Sequence, residues 1–171
     1  MDFGNMDISW FRFVPEFRGN RDLPKEERLS LEIRRLSVAE AQARYAPDIR
    51  GNYQSWRRNE LAKRFDMEDL GSLSEADREL VQQVNLLDPN VVKDFQMFCR
   101  HSRNFENFYF DGKEESDPFH LYFKLPAMVC PTTGKGLIEE IKTAIAETLS
   151  MDGHELGNFV EACAGSSPTT Q

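Results

Sequence analysis

Between Asp7 and Val14 the chain carries Ile8, Trp10, Phe11 and Phe13 in quick succession before Pro15 ends the run. This density of aromatic and β-branched residues predicts a strand. From Leu29 to Ile33, the residues Leu29, Leu31 and Ile33 alternate with Ser30 and Glu32, the period of two that marks a strand with one buried face. The two strands are expected to pair. Between them lies Glu16–Arg28, a polar connection holding Gly19-Asn20, Pro24 and the charged residues Arg18, Arg21, Asp22, Lys25, Glu26 and Glu27. Loops of this length inside a compact domain are commonly functional, which makes it a candidate contact surface. An exposed hairpin tip is the plainer reading.

Further on, the period changes to that of helices. Ser37 with Glu40 matches a capping box, and Val38 to Tyr45 is helix-forming sequence that must end near Pro47. Tyr53 to Asp66 sets Trp56, Leu61 and Phe65 among Arg57, Arg58, Glu60, Lys63 and Arg64, an amphipathic pattern with a charged outer face. Ser74, with Asp77 three residues on, opens a helix that should bury Leu80, Val81 and Val84. Asp88-Pro89 is an N-cap followed by proline at the first helical position. Val91, Phe95 and Phe98 then recur at helical spacing, with an end expected near Arg103.

Phe105, Phe108 and Phe110 sit beside Asn107, Tyr109 and Asp111, and Asp111-Gly112 closes the segment. His120 to Leu125 reads as a second strand, so residues 105–125 are expected to form a hairpin. Leu137, Ile138, Ile141, Ala144, Ile145 and Leu149 trace an apolar helical stripe after Thr132-Thr133-Gly134. A last helix, about Gly153 to Ala164, should bury Leu156, Phe159 and Val160. The fold expected is α+β: an N-terminal antiparallel strand pair and a second hairpin, packed with about five to six helices. It is expected to form a single domain over 1–165, with a flexible C-terminal tail over 166–171.

Composition narrows the class. With 171 residues, 40% of them hydrophobic, the chain can bury roughly 70% of the surface that its unfolded form exposes. No stretch approaches the roughly 20 apolar residues needed to cross a bilayer. The start, Met1 to Asp7, shows no basic region leading into an apolar run, so the chain is expected to be neither secreted nor spanning, and cytoplasmic. Cys99, Cys130 and Cys163 are an odd number without close pairing, which argues for free thiols in a reducing compartment. The net charge is −8, and it is divided unevenly. Residues 1–70 hold 13 acids and 13 bases, whereas residues 71–171 hold 16 acids and 8 bases. That asymmetry allows the Arg-rich part of one copy to face the acidic part of another. An acidic chain without a basic stripe is a poor partner for nucleic acid, and no membrane partner is expected.

Catalytic and cofactor chemistry finds little support. Thr133-Gly134-Lys135-Gly136 suggests a phosphate loop, but Val129 stands where the first glycine belongs and Gly136 where Ser or Thr should reach magnesium. Cys99, His101, His120 and Cys130 could together supply zinc ligands, yet their spacing matches no compact module. His154-Glu155 lacks the following histidine of a zinc-protease helix. Asp111 to Asp117 lacks the alternating ligands of a calcium loop. The expectation is no enzyme, no catalytic residues, no cofactor and no metal. A small metal-dependent hydrolase is kept only as a remote alternative, since spacing does not forbid convergence of the cysteines and histidines. Phe17 or Trp56, if exposed beside arginines, would have the makeup of an interface hot spot.

The segment Phe13-Val14-Pro15-Glu16-Phe17-Arg18-Gly19-Asn20-Arg21-Asp22-Leu23-Pro24, followed by Leu31-Glu32-Ile33, resembles the start of bacteriophage tail-assembly chaperone-like and small tail accessory proteins, with a strand, a Pro-x-x-x-Gly-Asn turn and a second strand. Asn107 to Gly112, Thr133 to Ile141, Glu155 and Asn158-Phe159 are similar in layout to the end of such proteins. The resemblance covers about a third of the chain and leaves residues 50–105 unmatched. It implies a non-catalytic phage or prophage product that binds other phage or host proteins during tail assembly in the host cytoplasm. A structural subunit, ring or stack, retained in the virion through self-association is the alternative. Read from the residues themselves, the contact candidates are Phe17, Arg18, Asn20, Arg21 and Asp22 in the loop and Trp56, Arg57 and Arg58 on the charged helix, with the acidic C-terminal helices as a further surface.

Overall fold

The computed structural model describes residues 10–35, 50–148, 151 and 153–163. Their order is β1 (Trp10–Phe13), β2 (Ser30–Arg34), α1 (Arg50–Arg64), α2 (Glu75–Asn85), α3 (Pro89–His101), β3 (Ser102–Glu106), β4 (Tyr109–Phe110), β5 (Lys113–Glu114), α4 (Pro118–Lys124), α5 (Leu137–Glu147) and α6 (Gly153–Cys163). The fold is α+β. The chain divides into two compact units, one of Met1–Ala41 with Phe98–Gln171 and one of Gln42–Met97. The expected helix over Val38 to Tyr45 and the tail over 166–171 lie outside the described residues.

In the first unit β1 and β2 pair antiparallel in the register Phe11↔Ile33 and Phe13↔Leu31. Because side chains alternate across a strand, this register puts Phe11, Phe13, Leu31 and Ile33 on one face, and all four are buried. Trp10, Arg12, Glu32 and Arg34 take the other face. The sheet has a third strand that the sequence pattern did not announce, β3, antiparallel to β2, giving the order β1-β2-β3. Its register slips between Ser30 and Glu32, and opposite that slip Asn104 has a φ of 53°, the signature of a bulge.

Helix α6 packs against β1. There the ring of Phe159 meets Phe11 edge-on at 5.9 Å, and Val14 N–H donates to the Cys163 carbonyl at 2.6 Å. Leu156 and Cys163 are the fully buried residues of this helix, while Phe159 and Val160 are half-buried.

The expected hairpin over 105–125 is corrected in two places. Phe105 and Phe108 to Phe110 do not form one strand, because Asn107 takes a φ of 67° and turns the chain between β3 and β4. The second hairpin is the short pair β4–β5, turning at Asp111 and Gly112 with φ of 51° and 77°, the two positive values that a tight two-residue turn needs. His120 to Leu125 is not a strand. Asp117 accepts from Phe119 N–H at 3.0 Å and Pro118 follows it, so the segment enters α4. Phe119, Leu121, Tyr122 and Leu125 are buried while Lys124 is exposed, which is helical periodicity.

Aromatic rings then carry the core from β3 to α4. Phe108 meets Phe105 at 5.2 Å, Phe105 meets Phe98 at 6.0 Å and Phe98 meets Tyr122 at 5.7 Å. Helix α5 closes this core with Leu137, Ile138, Ile141, Ala144 and Ile145.

In the second unit, Ser74 caps α2 by accepting from Asp77 N–H at 3.1 Å. Leu80, Val81 and Val84 of α2 and Leu61 of α1 are buried. Asp88 accepts from Val91 N–H at 3.0 Å at the entry to α3, whose run stops at His101 rather than continuing to Arg103.

Candidate contact surface

The loop from Glu16 to Arg28 is tied down along its length. Its first part is a 3-10 turn over Phe17–Asp22, kinked by positive φ at Arg18 and Gly19. Asn20, 2% exposed, sits inside it. Its Nδ2 donates to the Pro15 carbonyl at 2.8 Å and the Leu29 carbonyl at 2.9 Å, and its Oδ1 accepts from Leu29 N–H at 2.7 Å. One side chain thus joins the exit of β1 to the entry of β2. Asn107 holds the far end, donating to the carbonyls of Glu26 and Arg28 at 2.9 and 2.8 Å.

Of the sequence candidates in this loop, Phe17 and Asn20 are buried. The condition under which Phe17 would be a hot spot, exposure beside arginines, is therefore not met. Arg21 is half-buried; it donates to the Val14 carbonyl at 2.7 Å and pairs with Glu16 at 2.9 Å. Arg18 and Asp22 are exposed, and Arg18 reaches the Val129 carbonyl at 2.8 Å with its guanidinium 5.2 Å over Phe17. On α1, Arg57 reaches the Val84 and Asn85 carbonyls at the end of α2 at 3.4 and 3.5 Å, and Arg58 is exposed. The side chain of Trp56 lies outside the described residues.

Glu140 of α5 closes the other side of the loop. Its carboxylate accepts from Glu16 N–H. Burial raises its pKa above the ordinary 4.5 more strongly than the bond from Glu16 lowers it, and the neighbouring Glu16 charge adds to the rise. Because the folded state then holds the proton more tightly than the unfolded chain, this contribution to stability is fully present below pH 4.5 and is lost as pH rises through the raised value. Glu140→Gln removes that titration, so the variant should gain on the wild type as pH rises from about 4 to about 7. Urea denaturation of both proteins at the two pH values checks this, and an unchanged gap would contradict it.

The thiols differ by environment. Cys130 lies in the turn before α5, where Gly134 N–H donates to the Cys130 carbonyl at 2.8 Å and Cys130 N–H to the Lys135 carbonyl at 2.9 Å. Thr133-Gly134-Lys135 is therefore the tip of a turn and not the first turn of a helix. Hydrogen bonds from Thr132 and then Thr133 bring the Cys130 thiol down to about 6, while burial pushes Cys163 up to about 11. Cys163 is a packed, unreactive group. His120 lies 4.0 Å from both Glu115 and Asp117, and His101 is buried at the end of α3. Among the described residues, no group of three or more His, Cys, Asp or Glu is placed to hold a metal ion.

The surface that sequence reasoning missed is the outer face of the three-stranded sheet. Arg103 of β3 stacks 4.0 Å over the Trp10 ring, and Arg34 lies 5.9 Å from it. Arg103 pairs with Glu32 at 3.3 Å, to which Asn104 also donates, and Arg12 pairs with Glu106 at 3.7 Å. The result is a half-exposed indole with one guanidinium stacked on it at 4.0 Å and a second at 5.9 Å, on the face that also carries the Arg103–Glu32 and Arg12–Glu106 pairs. The signal was in the alternation. Trp10 is in phase with Arg12 and out of phase with Phe11 and Phe13, so the strand that buries the two phenylalanines turns Trp10 outward.

No protein-family model, curated protein or solved structure matches the chain.

Proposed function

We propose that this chain is a non-catalytic protein-binding factor of phage tail assembly, acting in the host cytoplasm through the outer face of the β1-β2-β3 sheet. The observation that carries the reading is Trp10 on the outer face with Arg103 stacked 4.0 Å over its ring and Arg34 5.9 Å from it. Tryptophan and arginine dominate binding hot spots, because a large rigid ring and a planar donor fork give contact area and direction at low entropic cost. The paired charges around Trp10 form the polar rim that excludes water from such a spot. Tail assembly as the setting rests on the resemblance of the segment Phe13 to Pro24 with Leu31-Glu32-Ile33, within which Asn20 bridges the exit of β1 and the entry of β2.

The test is capture of tail components by tagged protein during phage growth or prophage induction, comparing wild type with Trp10→Ala. Loss of a hot spot worth about 2 kcal/mol lowers affinity about 30-fold. Capture of tail proteins that Trp10→Ala abolishes is the expected outcome. Absence of tail proteins, or capture indifferent to the substitution, would refute the proposal.

The uneven charge favours one second reading, a structural subunit assembled as a ring or stack from Arg-rich to acidic contacts. It requires a defined oligomer that dissociates as salt rises and the presence of the chain in finished particles. A salt-independent monomer absent from virions leaves the assembly factor.

A further inference from the structure

Arg28 closes the loop from its far end. Its backbone is extended, and its Nε donates to the Leu23 carbonyl at 2.7 Å, which clasps the short 3-10 turn over Lys25–Glu27. Its own carbonyl is held by Asn107 at 2.8 Å. The side chain is enclosed by this arrangement. At 5% exposure Arg28 is the one buried lysine or arginine among the described residues.

A buried charge is normally paired and hydrogen-bonded. Arg12 has Glu106, Arg21 has Glu16 and Arg103 has Glu32. Arg28 has no such acid among the described residues, and its neighbours Glu26 and Glu27 are exposed. Nη2 is buried without a partner. Nη1 donates to no group among the described residues either, so Nε is the one nitrogen in use. The two terminal nitrogens are the edge of a guanidinium that holds both oxygens of one carboxylate in parallel bonds.

We propose that Arg28 is a binding site for a carboxylate, which enters beneath the Leu23–Glu27 turn and takes both terminal nitrogens. The charge balance favours a carboxylate over a phosphate. One guanidinium neutralises one negative charge, whereas a phosphate monoester brings about two at neutral pH. The surroundings would repel the excess, since Glu26 and Glu27 belong to the same turn and Glu114 accepts from Asn107 N–H at 3.3 Å. The carboxylate comes either from a bound protein, as an acidic side chain or chain end, or from a free organic acid. The site itself rests on the geometry of Arg28. Its assignment to a bound protein rests on the reading of the chain as a binding factor.

The test is titration of isotope-labelled protein with sodium acetate at about pH 7, replacing sodium chloride so that ionic strength stays constant. The Nε–Hε resonance of Arg28, assigned through bonds from its own backbone, should shift saturably, with the Leu29 amide following and the amides of α1 unmoved. Linkage gives a second readout. Acetate at the dissociation constant of that titration should raise the folding equilibrium constant about twofold, read by urea unfolding with Trp10 emission in a Trp56→Phe background. Arg28→Lys keeps the charge but loses the fork, so it should lose the Leu29 shift and the gain in stability. Should that variant fail to fold, the titration of the parent decides alone.

A response that does not saturate, or a stability gain of equal size in Arg28→Lys, would overturn the proposal. Water would then satisfy Nη2, and the guanidinium would be a clasp for the loop and nothing more. Saturation by inorganic phosphate at lower concentration than acetate would overturn the assignment to a carboxylate. Capture of tail proteins separates the sources. If acetate binds and Arg28→Lys loses the captured proteins, the carboxylate belongs to a protein; if capture is unchanged, it belongs to a free acid. Acetate binding with no tail protein captured leaves the site standing and removes the tail-assembly reading. A flat titration with capture abolished by Trp10→Ala does the reverse.

Discussion

Replacing Asn20 by alanine is expected to lower the unfolding free energy by about 3 kcal/mol, although the substitution removes only a few atoms. Asn20 makes three hydrogen bonds at 2.7 to 2.9 Å while 2% exposed. Truncation leaves the Pro15 carbonyl and both backbone groups of Leu29 without those partners. Each group left unpaired away from water costs about 1–3 kcal/mol, and partial entry of solvent into the loop reduces the sum. Asn20→Asp should be no milder. It keeps an acceptor for Leu29 N–H but points a charged oxygen at two carbonyls that need a donor. Urea denaturation gives the comparison, with hydrogen exchange at Leu29 as a local readout. A loss below about 0.5 kcal/mol would mean that the loop holds its shape through Asn107 and Glu140 without this residue.

The same loop shows where sequence reading stops. The polar run from Glu16 to Arg28 was correctly read as the connection between two paired strands. The roles of its residues were not readable, because they depend on partners far along the chain. Glu140 reaches Glu16 across 124 positions, Val129 meets Arg18 across 111, and Asn107 meets Arg28 across 79. A loop residue that looks available in sequence can therefore be an anchor in space, as Asn20 and Arg21 are.

Periodicity succeeded where one element buries one face. The alternation through Leu31 and Ile33 gave the strand pair, and the stripe from Leu137 to Ile145 gave α5. It failed over His120 to Leu125, where a strand-like run of His120, Leu121, Tyr122, Phe123, Lys124 and Leu125 competed with a local signal. That signal, Asp117-Pro118, is the same N-cap and proline pairing that marked α3 at Asp88-Pro89, and it prevailed. β3 escaped notice because Ser102, Arg103 and Asn104 carry no apolar alternation and a bulge interrupts the strand. The Trp10 face was half-visible: its phase could be read from β1, but the stacking arginine comes from β3.

A second large effect is expected at Phe98. This residue is fully buried, between Phe105 at 6.0 Å and Tyr122 at 5.7 Å, where the end of α3, β3 and α4 share one aromatic cluster. Its carbonyl also accepts from the Ser102 hydroxyl, which fixes the chain as it passes from helix to strand. Phe98→Ala should cost about 3–5 kcal/mol, the combined loss of transfer free energy and the cavity left among rings too rigid to close over it. Phe98→Leu, which refills most of that volume, should cost about 1–2 kcal/mol. Phe159 is the control. It also meets another phenylalanine, Phe11, but from a half-buried position on α6, so the hole left by Phe159→Ala opens to water and the loss should be less than half that of Phe98→Ala. Trp10 emission in the Trp56→Phe background reads unfolding of the unit that holds all these residues, so the comparison does not depend on whether the other unit unfolds with it. Equal costs at Phe98 and Phe159 would mean that the aromatic cluster is not the center of this core. A cost at Phe98 several times larger would locate the stability of the unit at the junction of α3 and β3, where Ser102 also ties the strand back to the Phe98 carbonyl.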